Sequence, residues 1–160
     1  MIDESLLNNI SNKLKKKNLS IATAESCTGG LLAHLLTNMS GSSEYFERGV
    51  VTYSDISKIE LLGIPKETIK DYGAVSEETA MAMAIGIKEI SNVDIGISTT
   101  GIAGPTGGTK EKPVGLVYIG ITTSKNTQVK RYIFSEKRVQ NKERACNESL
   151  KILSDAINRW

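Results

Sequence analysis

The sequence predicts an α/β protein, a single three-layer α/β/α domain over residues 1–160 with a mixed β-sheet. Three observations predict it. Short apolar, β-branched runs alternate with segments of helical periodicity through the first hundred residues, in an order that fits neither a regular βαβ repeat nor an α+β split. Two late runs, Val114 to Thr122 and Gln128 to Phe134, flank a short S-K-N-T turn and read as antiparallel neighbours in an otherwise parallel sheet. The chain length of 160 residues, 39% hydrophobic and 24% charged, suits one domain with a sizeable core.

Residues 3 to 17 place Leu6, Leu7, Ile10 and Leu14 at helical spacing, with Lys13, Lys15, Lys16 and Lys17 at the end where the macrodipole favours cations. Asn18 ends that helix, and Leu19 to Thr23 reads as the first strand. Leu31, Leu32, Leu35 and Leu36 give a second helix its buried face, ending near Asn38. Tyr45 to Ser54 reads as a strand running into a helix that begins at about Asp55 and closes at Gly63-Ile64-Pro65, because proline cannot continue it. A short helix from Lys66 to about Asp71 follows. Ser76 is placed to cap a small-residue helix over Ala80 to Ile90, with Glu77 and Glu78 in its first turn. Val93 to Thr100 is the third strand, and Arg138 to Arg159 forms a long last helix.

Composition excludes several classes. No apolar run approaches the ~20 residues of a membrane span, and the acidic start M-I-D-E-S lacks the basic region of a signal peptide. A cytoplasmic protein is expected. Cys27 and Cys146, far apart and placed on predicted helices, read as free thiols. With one histidine, His34, a metal site built from His and Cys is not expected, nor is any cofactor. Residues 125 to 160 carry 9 basic and 4 acidic side chains, against 11 and 14 in the remainder. Such a basic end suits a phosphate-bearing small molecule, or simply a solvated helix face, and it lacks the aromatic interleaving of a nucleic-acid binder.

Chemistry concentrates in T-A-E-S-C-T-G-G, Thr23 to Gly30, where a strand gives way to a helix. Ser26, Cys27 and Thr28 are expected at that helix's N-terminus with unpaired backbone N–H groups, a setting for an anion or a developing oxyanion. Ser26 is the candidate nucleophile and the following N–H groups the candidate oxyanion hole. A plain N-cap, with Gly29 and Gly30 allowing close packing, explains the same residues. His34 lies about 9 Å along the helix past Thr28, too far to serve Ser26 as a base. Lys58, one turn into the helix after Tyr53, would have to be the base, and lysine can act only when neutral. The glycine-rich stretch G-I-A-G-P-T-G-G-T, Gly101 to Thr109, could present N–H groups to a ligand or serve only as a hairpin connection.

T-A-E-S-C-T-G-G, G-S-S-E-Y-F-E-R-G-V-V-T-Y-S, Lys58, G-A-V-S, T-G-I-A-G-P-T-G-G and E-K-P-V-G, in this order, resemble the CinA C-terminal domain family over nearly the whole chain. Stand-alone members of that family include nicotinamide-nucleotide amidases. The resemblance implies hydrolysis of nicotinamide mononucleotide to nicotinic acid mononucleotide and ammonia, with Ser26 as nucleophile and Tyr53 and Lys58 as catalytic partners. It also implies a compact α/β fold that self-associates into a homo-oligomer. Arg138 or Arg48 would hold the substrate phosphate, with Gly101 and Gly104 allowing close approach.

One departure is clear. The family's loop before the last helix often reads F-S-G-D-R, where this chain has F-S-E-K-R at Phe134 to Arg138. Longer relatives carry an N-terminal domain related to molybdopterin-binding proteins, which this length leaves no room for. Two alternatives remain at this level: a nucleotide-binding or competence-related interaction module without turnover, and a Cys27 nucleophile, which would lack an imidazole partner.

Overall fold

The computed structural model describes residues 1–160, and its elements follow the predicted order: α1 (Glu4–Lys17), β1 (Ile21–Glu25), α2 (Leu31–Thr37), β2 (Phe46–Val51), α3 (Asp55–Leu62), α4 (Lys66–Tyr72), α5 (Glu77–Ser91), β3 (Ile95–Gly101), β4 (Leu116–Thr122), β5 (Thr127–Ile133) and α6 (Arg138–Asn158). A single 3₁₀ turn, Ser42–Glu44, precedes β2. The five strands form one sheet in the order β2-β1-β3-β4-β5. β1 runs parallel to β2 and β3, while β4 and β5 are antiparallel additions, so the sheet is mixed as expected.

Period-two alternation in β1 divides the core between two faces. Ile21 joins Leu7, Ile10 and Leu14 of α1, Leu32 and Leu36 of α2, and Leu150 and Leu153 of α6 in the larger cluster. Ala22 and Ala24 meet Leu62, Met83 and Ile87 of α3 and α5 in the smaller one. Helices therefore cover both sides, completing three layers. Gly96 of β3 permits the close approach of α5 to the sheet, since a side chain there would strike Ala84 O.

The helix ends follow their local chemistry. Asp3 caps α1 through the N–H of Leu6, Ser54 caps α3 through Ser57, and Ser76 caps α5 through Thr79. Asn18 closes α1 in the left-handed conformation, with φ 54°. Leu19 and Ser20 are then spent on the reversal, Leu19 N–H bonding back to Leu14 O and Ser20 to the Asp94 carboxylate. The first strand therefore lies two residues later than Leu19 to Thr23, and Glu25 belongs to it.

The second helix also starts later than expected. A turn over residues 27 to 30 intervenes, with Gly29 and Gly30 at φ +62° and +93°, a conformation that strains residues with a Cβ. Ser26, Cys27 and Thr28 thus precede the helix rather than cap it. Ser26 N–H bonds to Thr99 O at 2.9 Å, extending the sheet by one rung. β1 leads to β2 on one side and the chain returns through α3–α5 to β3 on the other, so the ends of β1 and β3 form a topological switch point where open α/β sheets bind ligands.

Candidate active site

At that switch point a recess of about 320 Å³ is lined by Ser26, Cys27, Tyr53, Lys58, the Ala74–Val75 segment, the end of β3 with the loop that follows it, and Arg138. Lys58 is 0% exposed, and its Nζ lies 3.2 Å from Ser26 Oγ. The helix cap explains how a lysine reaches this position: Ser54 starts α3 just past β2, and Lys58, one turn on, folds back under the strand end. Nζ donates to Thr52 O at 2.8 Å and to Tyr53 O at 3.3 Å, with Ser54 O at 3.5 Å. Burial pushes its pKa below the ordinary lysine value, against a smaller upward pull from Asp55 and Cys27. Nζ also donates to Ser26 Oγ, so an ammonium finds three acceptors here; once neutral, the amine keeps two N–H groups on Thr52 O and Tyr53 O and turns its lone pair to the Ser26 hydroxyl.

Cys27 N–H and Thr28 N–H donate to no backbone carbonyl of the chain. Cys27 lines the recess, whereas Thr28 is absent from its lining and directs its hydroxyl to the Glu25 carboxylate. The Cys27 thiol is no rival to Ser26, because burial pushes its pKa up to about 12. Cys146 is also a buried free thiol, on α6, while Cys27 stands in the turn rather than on a helix.

Tyr53 is placed differently from a proton relay. Its side chain is 61% exposed, and its hydroxyl accepts a hydrogen bond from Arg138 Nη2 at 3.0 Å; only its carbonyl meets Lys58. Arg138 also donates to Gly104 O at 2.7 Å. Three of its five N–H donors remain unpaired, and no carboxylate lines the recess. The loop sequence F-S-E-K-R therefore still aims Arg138 at the site.

Other expected site residues are not brought together. Arg48 lies on the edge strand β2, paired with Glu47 at 2.9 Å and outside the recess. Gly29 and Gly30 line a different hollow with His34 and Lys142, and His34 is a surface residue whose ring meets Asn38. Gly101 and Gly104 do line the recess, but a side chain there would strike Leu116 O or Val114 Cγ1, each at 2.5 Å. Their smallness serves the packing of the loop rather than a ligand's approach.

Two contributors escaped the sequence reading. Asn141, buried on α6, donates to Ala103 O and Glu136 O and accepts from Glu136 N–H, tying the recess loop to the start of the helix that carries Arg138. Glu25 is 1% exposed, and its carboxylate accepts from Thr28 Oγ1 and from the N–H groups of Leu32 and Ala33. Glu25 thereby satisfies the orphan donors of Leu32 and Ala33 at the start of α2, which lie beyond the N–H groups of Ser26 to Thr28 that the sequence offered to a ligand. Helical spacing in Asn141 and the acid inside T-A-E-S were the available signals.

The CinA C-terminal domain model matches residues 3–157. The chain belongs to the CinA C-terminal domain family. A CinA-like protein of Chloroherpeton thalassium is 52% identical over 98% of this chain, and one of Kosmotoga olearia is 48% identical over 97%. In both cases the alignment covers 38% of the relative, so this chain spans under two-fifths of the length of the curated relatives it matches. Among solved structures, the competence/damage inducible protein CihA from Agrobacterium tumefaciens superimposes with a TM-score of 0.94 at 37% identity, covering 99% of this chain and 98% of that one. The CinA superfamily protein ECK1530/EC0983 from Escherichia coli gives 0.90 at 31% identity over 94% and 88%. The three-layer fold is thus that of the CinA superfamily. No helix is long and apolar enough to cross a membrane.

Proposed function

We propose that this chain is an amidohydrolase that converts nicotinamide mononucleotide to nicotinic acid mononucleotide and ammonia by acyl transfer through Ser26. The observation that carries this reading is the buried amine of Lys58 at 3.2 Å from the Ser26 hydroxyl.

Lys58, neutral in its carbonyl cage, takes the Ser26 proton as Oγ adds to the carboxamide carbon. The pyridinium ring withdraws electrons and makes that carbon more electrophilic. The oxygen gains the negative charge and meets the N–H of Cys27; one such donor supplies about 3–4 kcal/mol of transition-state stabilisation. The Lys58 ammonium then protonates the departing nitrogen, the C–N bond breaks, and ammonia leaves a nicotinoyl ester on Ser26. Water adds to that ester with its proton passing to Lys58, and collapse returns the proton to Ser26 and frees the carboxylate. Every proton moves through one amine, so no second base is required.

Arg138 provides the anchor for the phosphate, at the first turn of α6 where the macrodipole also favours an anion. Tyr53 orients that guanidinium and contributes a carbonyl to the Lys58 cage; its role is support and substrate contact rather than proton transfer. Free nicotinamide lacks the phosphate and leaves the remaining N–H donors of Arg138 without an anion.

A competence-related interaction module is the other reading, and it draws on the names of the solved relatives. The burial of a lysine against a serine favours turnover, since a purely adhesive surface has no use for so costly a placement. Ammonia release, measured with nicotinamide mononucleotide, free nicotinamide and the dinucleotide in parallel, tests the proposal. Release from the mononucleotide that disappears in S26A and K58A is expected; release that persists in S26A, or none from the native protein, overturns it.

A further inference from the structure

We propose that Glu25 is a positioning residue that holds Ser26 against Lys58, acting through Thr28 and through its own backbone. The inference rests on Ser26 being the nucleophile but on no choice of substrate.

The argument begins with two threads that meet at one residue. Glu25 O accepts the N–H of Thr52 at 2.8 Å, and Thr52 O is the shortest partner of Lys58 Nζ, also at 2.8 Å. The base is thereby registered to the end of β1. The side chain governs the other partner. Its Oε1 accepts from Thr28 Oγ1 at 2.6 Å and Leu32 N–H at 2.9 Å, and its Oε2 accepts from Ala33 N–H at 2.9 Å. Because the Thr28 hydroxyl spends its hydrogen on the carboxylate, the 2.6 Å contact between Thr28 Oγ1 and Thr99 Oγ1 is donated by Thr99. Thr99 O in turn receives Ser26 N–H.

Glu25, Thr28 and Thr99 thus clamp the turn that carries Ser26 between β1, β3 and the start of α2. All three are buried, Thr28 and Thr99 at 0% exposure. No cation pairs with the carboxylate, and its acceptors are filled by α2 backbone and a hydroxyl. A side chain needed only to cap a seven-residue helix would not have to be linked to the adjacent strand through two hydroxyls. The linkage makes mechanical sense if the serine must stay fixed between the base and the oxyanion donor, where small displacements are expensive.

The test reads Ser26 without any nucleotide. A fluorophosphonate probe phosphonylates the serine, forming the Oγ–P bond with loss of fluoride while Lys58 takes the proton. Labelling rate against pH is measured for the native protein, E25Q, T28V and T28S, beside thermal melting of each. Folded E25Q and T28V are expected to label roughly 10- to 100-fold more slowly, with T28S regaining most of the lost rate. The pH midpoint of labelling should stay at the native value, because the Lys58 cage is made of backbone carbonyls. Native rates in folded E25Q and T28V overturn the inference. A displaced midpoint overturns it too, since Glu25 would then act on the charge of Lys58; so does a T28V that cannot fold, because the linkage would be holding the domain rather than the serine. Labelling of Ser26 without mononucleotide turnover would sink the substrate assignment alone, whereas native protein that never labels would remove the nucleophile and this inference with it.

Discussion

The hydroxyl of Tyr53 and the guanidinium of Arg138, 85 residues apart in the chain, meet at 3.0 Å across the mouth of the recess that holds Ser26 and Lys58. Tyr53→Phe removes one hydrogen bond that orients the anion anchor and leaves the Lys58 cage untouched. A loss of about 1 kcal/mol in binding is expected, which raises KM for the mononucleotide roughly fivefold with kcat nearly unchanged. A proton relay through the phenol would instead show as a collapse of kcat.

Arg138→Ala removes the charge itself. The expected rise in KM is roughly 10- to 100-fold, following the ~1.5–3 kcal/mol typical of hydrogen bonds to charged groups. Arg48→Ala, at the far edge of β2, should leave KM where it is. Equal effects from the two would move the phosphate away from α6.

The pH dependence has a defined direction. Lys58 works only when neutral, and burial lowers its pKa from the ordinary 10.5. The ratio kcat/KM should therefore rise with pH through the lowered pKa and level off before 10.5 is reached. A profile that is flat, or that falls as this amine loses its proton, contradicts the assigned role.

Stability carries the same signature. Between the folded pKa of Lys58 and 10.5 the unfolded chain holds a proton that the folded one has released, so stability rises with pH across that window. Below it the folded protein carries the full penalty of a buried ammonium. The melting temperature of the native protein should gain on that of Lys58→Met as pH rises toward 10.5, whatever the offset between them at neutrality. Parallel curves would mean that the amine is solvated.

Much of the fold was legible because burial writes itself into spacing. Leu7, Ile10 and Leu14 mark the inward stripe of α1, Ser54 and Ser76 mark helix starts, and the late pair of strands announced a mixed sheet. Strand and helix limits around Ser26 were misjudged because one side chain decides them. Nothing beside Glu25 in the chain marks its role: it is buried on the donors of a helix whose first turn lies 6 residues on, at Leu31. The contact between Lys58 and Ser26 was anticipated, whereas the partner of the Tyr53 hydroxyl was not. Such a pairing joins two elements that are neighbours only in three dimensions, and no periodicity records it. Arg48 misled for the converse reason: it was named only as an available cation, and charge alone says nothing about which edge of a sheet a side chain occupies.

The most direct measurement of the central claim is covalent capture. Native protein mixed with mononucleotide labelled in the carboxamide carbon, quenched in acid within the first turnovers, digested and fragmented to residue level, should carry label on Ser26 and nowhere else. The same experiment with S26A should give no labelled peptide and no ammonia. Ammonia released at the native rate by S26A, or label carried by Cys27, would contradict it.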